Sequence, residues 1–176
     1  MKRELLQLTI FCIILFFLSS FLGYFYVSVN PSAGEERMLE IAEEFSFIFE
    51  LTSLELFLVI FANNALVTLV VMFLGVFFGI IPFLFVLFNG FILGILSYFV
   101  LEQVGVLPLL LGILPHGIIE IPVAMIAAAF GMLLGLNMIR REKILIKEAF
   151  FFYLKVILPL LFVASLIESF LVPHLL

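Results

Sequence analysis

Apolar runs of about membrane thickness, separated by short polar clusters, organise this chain from end to end. Leu5 to Val27, Leu54 to Phe78, Phe83 to Leu101, Pro115 to Met138 and Phe150 to Val172 each match the ~20 residues that cross a hydrocarbon core ~30 Å thick. They predict five spans. Turn-forming clusters fall between them: Ser28 to Ser32, Gly79 to Pro82, Glu102 to Gly105, and the charged Arg140 to Lys143.

Two stretches depart from this rhythm. From Gly34 to Leu51, Met38, Ile41, Phe45 and Ile48 recur at helical intervals while Glu36, Glu40, Glu43 and Glu44 fill the other side, and Ser32 with Glu35 has capping-box spacing. The pattern predicts an external amphipathic helix along the membrane or the bundle, its acidic face solvated. From Val106 to Ile139 the apolar character continues for so long that a single straight helix would measure about 51 Å, too much for one crossing. Pro108, Gly112, Pro115, Gly117 and Pro122 cluster in its first half, so the pattern predicts a short broken or re-entrant helix, Leu107 to Leu114, before span 4. The expected fold is all-α, a polytopic membrane helix bundle forming a single integral membrane domain over residues 1–176.

Composition agrees. Of 176 residues 66% are apolar and 12% charged, with 24 phenylalanines, against an apolar share of roughly 45–50% in soluble domains. The first run follows Met1-Lys2-Arg3 but exceeds the ~7–15 residues of a signal core and has no convincing cleavage site, so it reads as a retained anchor. Cys12, the single cysteine, precludes an internal disulfide. The net charge of -5 comes from glutamates between spans and leaves no basic patch for nucleic acid. Lys2, Arg3, Arg140, Arg141, Lys143 and Lys147 fall on one side of a five-span arrangement, which places the N-terminus in the cytoplasm and the C-terminus outside a cell membrane. Without tryptophan, only Tyr24, Tyr26, Tyr98 and Tyr153 are left to form an interfacial aromatic belt.

Two patterns inside the spans carry the candidate chemistry. Gly75 and Gly79, Gly90 and Gly94, and Gly131 and Gly135, the last extended back by Ala127, are small residues four apart, which let helix backbones approach closely. Three such stripes predict a tight bundle, and a homodimer if one of them faces outward. His116 and Glu120 lie one helical turn apart, and ionisable groups within a span are candidate functional sites by default. Counting rise from the inner loops places Asn63 and Asn64 about 22–24 Å from the inner end of their span, Glu120 about 30 Å from Arg140 and Glu168 about 27 Å from its inner end. Asn63, Asn64, His116, Glu120 and Glu168 thus form an expected polar cluster in the external half, whereas Asn89 and Asn137 fall in the inner half.

His116 and Glu120 could bind a divalent cation, shuttle protons or hold a polar ligand; structurally, they could fix the start of span 4 against Asn63 or Asn64. Two ligands are too few to specify zinc, and no HExxH string is present. Ser19, Ser20, Ser97, Ser165 and Ser169 occur without a GxSxG elbow, and Cys12 has no nearby histidine, so no catalytic residue is assigned and no cofactor is expected. An intramembrane metalloenzyme would need separate spans to converge on His116 and Glu120.

Asn63-Asn64, Gly75 and Gly79 before Pro82, Asn89-Gly90 with Gly94, and above all Leu114-Pro115-His116-Gly117 followed by Glu120, Ala127, Gly131 and Gly135 resemble the stage II sporulation protein M family over roughly residues 55–140. The resemblance implies a small integral membrane protein that, in spore formers, belongs to an engulfment complex and localises partners that remodel the cell wall. It implies an anchor or scaffold, here with the bilayer, a second copy, and an external protein meeting residues 34–51 as partners. The competing class is a transporter or channel built on the external polar site, for which discontinuous helices are a known device. The absence of an inverted repeat and the odd span count weigh against it.

Overall fold

The computed structural model describes residues 2–31, 51–103 and 105–170, and of 108–116 the backbone alone. The elements are α1 (Lys2–Val29), α2 (Ser53–Phe73, prolonged by a 3-10 turn to Val76), α3 (Ile80–Gln103), α4 (Val106–Arg140), α5 (Ile146–Phe152), a π-helical turn (Tyr153–Ile157) and α6 (Leu158–Phe170). Five of the resulting rods are long and apolar enough to cross a membrane, with α5, the π turn and α6 forming the fifth. The chain is an all-α polytopic bundle. The expected acidic helix at 34–51 lies almost wholly outside the described residues.

The divided span 4 is corrected: α4 runs unbroken for 35 residues. Pro108 sits in its first turn, where no N–H partner is needed. Pro115 and Pro122 each remove one backbone bond, a loss that membrane helices tolerate when neighbours support them. The stretch Gly117–Arg140 is the spanning part, and 61% of its apolar 18-residue core is buried, against 17–28% in the other four spans. That difference makes α4 the central helix. Its Phe130, Leu134, Ala127 and Val123 join Met72, Tyr153, Ile157 and Leu161 in one core, while Met125, Ala128, Ala129 and Met132 join Cys12, Phe16, Val71 and Val86 in a second. Only a helix dense in alanine and glycine can be approached this closely from several sides.

All three glycine stripes face inward. A methyl group on Gly75 would overlap the Gly131 carbonyl, and one on Gly135 would overlap the backbone of Phe78 and Gly79. Gly79 also supplies the turn between α2 and α3, at φ +74°. Pro82 then occupies the first turn of α3. Gly90 and Gly94 press on the Phe16 and Ser20 carbonyls of α1. The matching small residues on α1 are Ser19, whose hydroxyl donates to the Leu87 carbonyl at 2.6 Å, and Gly23, against the Phe91 backbone. The register Phe16 with Gly90, Ser20 with Gly94 and Tyr24 with Tyr98 advances in step, so α1 and α3 run parallel. Since each stripe is occupied within the chain, none is left facing outward to form a dimer.

The ends are fastened locally. Thr52 and Glu55 form a capping box at the start of α2, with the Thr52 N–H donating to Glu55 Oε2 at 2.9 Å. At the other end of the bundle Arg141 adopts φ 57°, the Glu142 N–H reaches the Asn137 carbonyl at 2.9 Å and the Arg141 N–H reaches Met138 at 3.2 Å, a Schellman closure of α4. Asn137, buried, donates from its side chain to the Lys143 carbonyl at 3.2 Å.

Candidate functional site

The hairpin helices α2 and α3 share a three-residue turn but scarcely touch beyond it, because α4 wedges between them. A cavity of about 410 Å³ fills part of the space, opening between α2 and α3. Its polar lining comes from Asn63, Asn64 and Thr68 of α2, Asn89 of α3 and Glu120 of α4; Phe16, Ile92, Leu96 and Met125 are among its apolar walls.

Helix spacing makes the polar wall. Asn64 and Thr68 are one turn apart, and the Thr68 hydroxyl donates to the Asn64 carbonyl at 2.6 Å, which satisfies it within the helix. The Asn64 side chain is therefore free to reach across to α4, where Nδ2 donates to Glu120 Oε2 at 2.8 Å. Asn63 donates to Asn64 Oδ1 at 3.5 Å, at the long limit of a hydrogen bond, so a relay of carboxamides ends on a carboxyl. Glu120 is only 3% exposed, whereas Asn63 and Asn89 are exposed at the rim. Asn89 donates to the Phe85 carbonyl of its own helix at 2.8 Å.

Of the expected cluster, Asn63, Asn64 and Glu120 therefore come together. Glu168, half-buried on α6, does not line the cavity. The side chain of His116 lies outside the described residues, and its backbone sits in α4 one turn before Glu120. Asn89, expected in the inner half, lines the same cavity. Depth counts assume helices rising side by side from a common plane, and α2 and α3 diverge instead. Tyr153 is likewise corrected from an interfacial residue to a core one: it is 3% exposed and its hydroxyl donates to the Ala65 carbonyl at 2.6 Å. The π turn that begins at Tyr153 precedes Pro159, which has no N–H to continue α-helical bonding.

Chemically the lining offers one carboxyl, three carboxamides and an engaged hydroxyl; among its described residues there is no thiol, imidazole or basic group. No group of three His, Cys, Asp or Glu side chains able to hold a metal is found among the described residues. The arrangement is suited to holding a ligand by hydrogen bonds and charge. Cys12 lies elsewhere, buried with its Sγ 3.8 Å from Met132 Sδ.

Four apolar rods gathered on a glycine-rich fifth, with a polar cavity among them, define a small multi-pass membrane protein. The chain belongs to the stage II sporulation protein M family, which matches residues 12–173. That match takes in all or most of every span, well beyond the stretch that carries the recognisable motifs. Neither a curated protein nor a solved structure matches the chain.

Proposed function

We propose that this protein is a membrane scaffold that holds envelope-remodelling partners at a cell membrane, with its N-terminus cytoplasmic and its C-terminus external. The observation that carries this reading is the clamping of α4, whose backbone meets α2 and the α2–α3 turn at Gly75, Gly79, Gly131 and Gly135. Alternating access needs two bodies that rock against each other. Here one helix contributes to both cores, and backbone contacts without intervening side chains leave little room for it to slide. A rigid platform suits an anchor. The acidic segment 34–51, placed externally by the charge distribution of the loops, is the proposed partner contact.

A second reading is solute or ion transport, favoured by the polar cavity at Glu120. Reconstitution in liposomes separates the two. The scaffold reading expects no solute or ion flux above that of empty vesicles, together with photo-crosslinks from residues 34–51 to an external envelope protein in cells. Flux that disappears in a His116→Ala, Glu120→Ala double variant, with folding retained, overturns it.

A further inference from the structure

We infer that the outward face of the fifth span, at Lys147 and Lys155, holds the phosphate of an anionic phospholipid. Ile146, Phe150 and Leu154 are exposed beside these two lysines, while Ala149, Tyr153 and Ile157 of the opposite side are buried in the core. The lysine face is therefore the one turned to lipid. Lys155 stands nine residues into a span that begins at Ile146, about 13 Å along it at ~1.5 Å per residue, where a lipid-facing ammonium is costly unless it reaches the interface or a counter-charge. Its geometry shows which way it reaches. Helical side chains tilt toward the N-terminal end of their helix, and Lys155 Nζ lies 5.7 Å from the centre of the Phe151 ring, one turn nearer the start of the span. Lys147 is exposed a further turn in the same direction. A phosphate held at that level has a cation on either side of it, and its acyl chains run down over Phe150 and Leu154.

The surroundings select a headgroup of net negative charge. Seven of the eight lysines and arginines collect at this end of the bundle, where α1 and α5 begin and α4 closes, against three glutamates, Glu4, Glu142 and Glu148. Leu5 of α1 packs on the cluster that holds Ala149, and Glu4 meets Arg140 at 3.0 Å, so the three helix ends share one level. Glu148 is engaged by Lys143 at 2.9 Å, and neither Lys147 nor Lys155 has an ion-pair partner among the described residues. A phosphatidylcholine phosphate brings its own trimethylammonium, which this excess of positive charge repels; a headgroup with no compensating cation is attracted. Lysine suits both parts of such a lipid, since its stem lies along hydrocarbon while its ammonium meets phosphate as a point charge. The inference is independent of the cavity and of transport. In a scaffold, such a site would gather the protein where that leaflet is richest in anionic lipid.

The test mixes the full chain, in a non-ionic detergent, with equal amounts of phosphatidylglycerol and phosphatidylcholine of identical acyl chains, and native mass spectrometry reads the lipid retained. The wild type is expected to favour phosphatidylglycerol by about tenfold or more. Lys155→Gln should lower that ratio about fivefold, and the double variant with Lys147→Gln should bring it near parity. Lys155→Arg, which keeps the charge, should preserve it. Lys2→Gln removes the same charge from the same end, at an exposed position of α1, and should change the ratio by less than about twofold. If Lys155→Gln fails to fold by size exclusion and thermal melting, Lys147→Gln alone replaces it with the same expected fall. Equal retention of the two lipids by the wild type overturns the proposal. So does a preference that survives in the folded lysine variants, or a fall with Lys2→Gln as large as that with Lys155→Gln, which would make the attraction a diffuse field of the whole end.

Discussion

Two stretches of the same helix are built on opposite principles. From Ala127 to Gly135, α4 is almost wholly buried and meets neighbouring backbones directly. From Gly117 to Ala124, it carries Glu120 and borders a cavity. The Ala127–Gly135 stretch gains stability from dispersion between close-packed backbones, which is available in lipid where the hydrophobic effect between helices is not. The Gly117–Ala124 stretch gives up that packing and holds a carboxyl that must be hydrogen-bonded to be tolerated. One stretch is close-packed backbone and the other borders a polar cavity, so the two respond differently to added volume.

Equal enlargement at the two ends is the strongest way to break this contrast. Gly135→Leu drives a side chain into the backbone of Phe78 and Gly79, where no rotamer change can relieve it. The expected loss is about 3 kcal/mol or more, at the upper end for overpacked sites, seen as failure to assemble or a large drop in unfolding free energy by steric trapping. Ala124→Leu adds its carbons beside the cavity, and a cost below about 1 kcal/mol is expected. Similar losses at both positions would mean that the Gly117–Ala124 stretch is as tightly packed as Ala127–Gly135.

Next in size is the polar contact itself. Glu120→Ala leaves the Asn64 carboxamide without its acceptor on α4, at an expected cost of about 1–3 kcal/mol. Glu120→Gln should recover most of it, since an amide oxygen still accepts. Two melting curves decide the matter: if Gln proves as damaging as Ala, the negative charge, and not the hydrogen bond, holds α2 to α4.

Much of this contrast could be read in the residues, and the parts that could not have identifiable causes. Hydropathy located every span because hydrocarbon thickness leaves few alternatives, and the glycine pairs stood out by their spacing. A serine among apolar residues reads first as a nucleophile, but Ser19, a small residue four positions from Gly23, is the visible half of the α1–α3 contact. The Thr52 and Glu55 capping box had the right spacing too, one turn into a region judged only by its hydropathy. Asn89 could not be joined to Asn64 by counting rise, because helix divergence is a property of three packed helices. The prolines of α4 misled for a related reason: whether a missing N–H breaks a helix depends on what its neighbours supply.

A smaller effect is expected at Tyr153, which ties the fifth span to α2 between the two regimes. Tyr153→Phe keeps the ring in its core and removes the hydroxyl, with its 2.6 Å bond to the Ala65 carbonyl and its bond with the Thr68 side chain. Hydrogen bonds between membrane helices average about 0.6 kcal/mol and reach about 1.7, because a partner is also found when the helices separate. The loss should fall in that range and be additive with Gly135→Leu where both can be measured, as the sites share no partner. A larger loss would show that the π turn depends on this bond to place Tyr153.

The weakest effect should come from Glu4→Gln in the first turn of α1. Arg140 Nη1 and Glu4 Oε1 are 3.0 Å apart, which on distance alone looks like a strong tie between α1 and the end of α4. Both side chains are nearly half exposed, at 44% and 46%, so water and salt screen the attraction. Just deeper in, Cys12 and Met132 are buried together and the apolar seam has already set the register. Melting temperature in nanodiscs should therefore be unchanged by the substitution, at low salt and at high salt alike. A fall that appears at low salt and vanishes at high salt would make charge the fastening at this end, and the Ala127–Gly135 stretch of α4 would then owe its rigidity to more than close backbone packing.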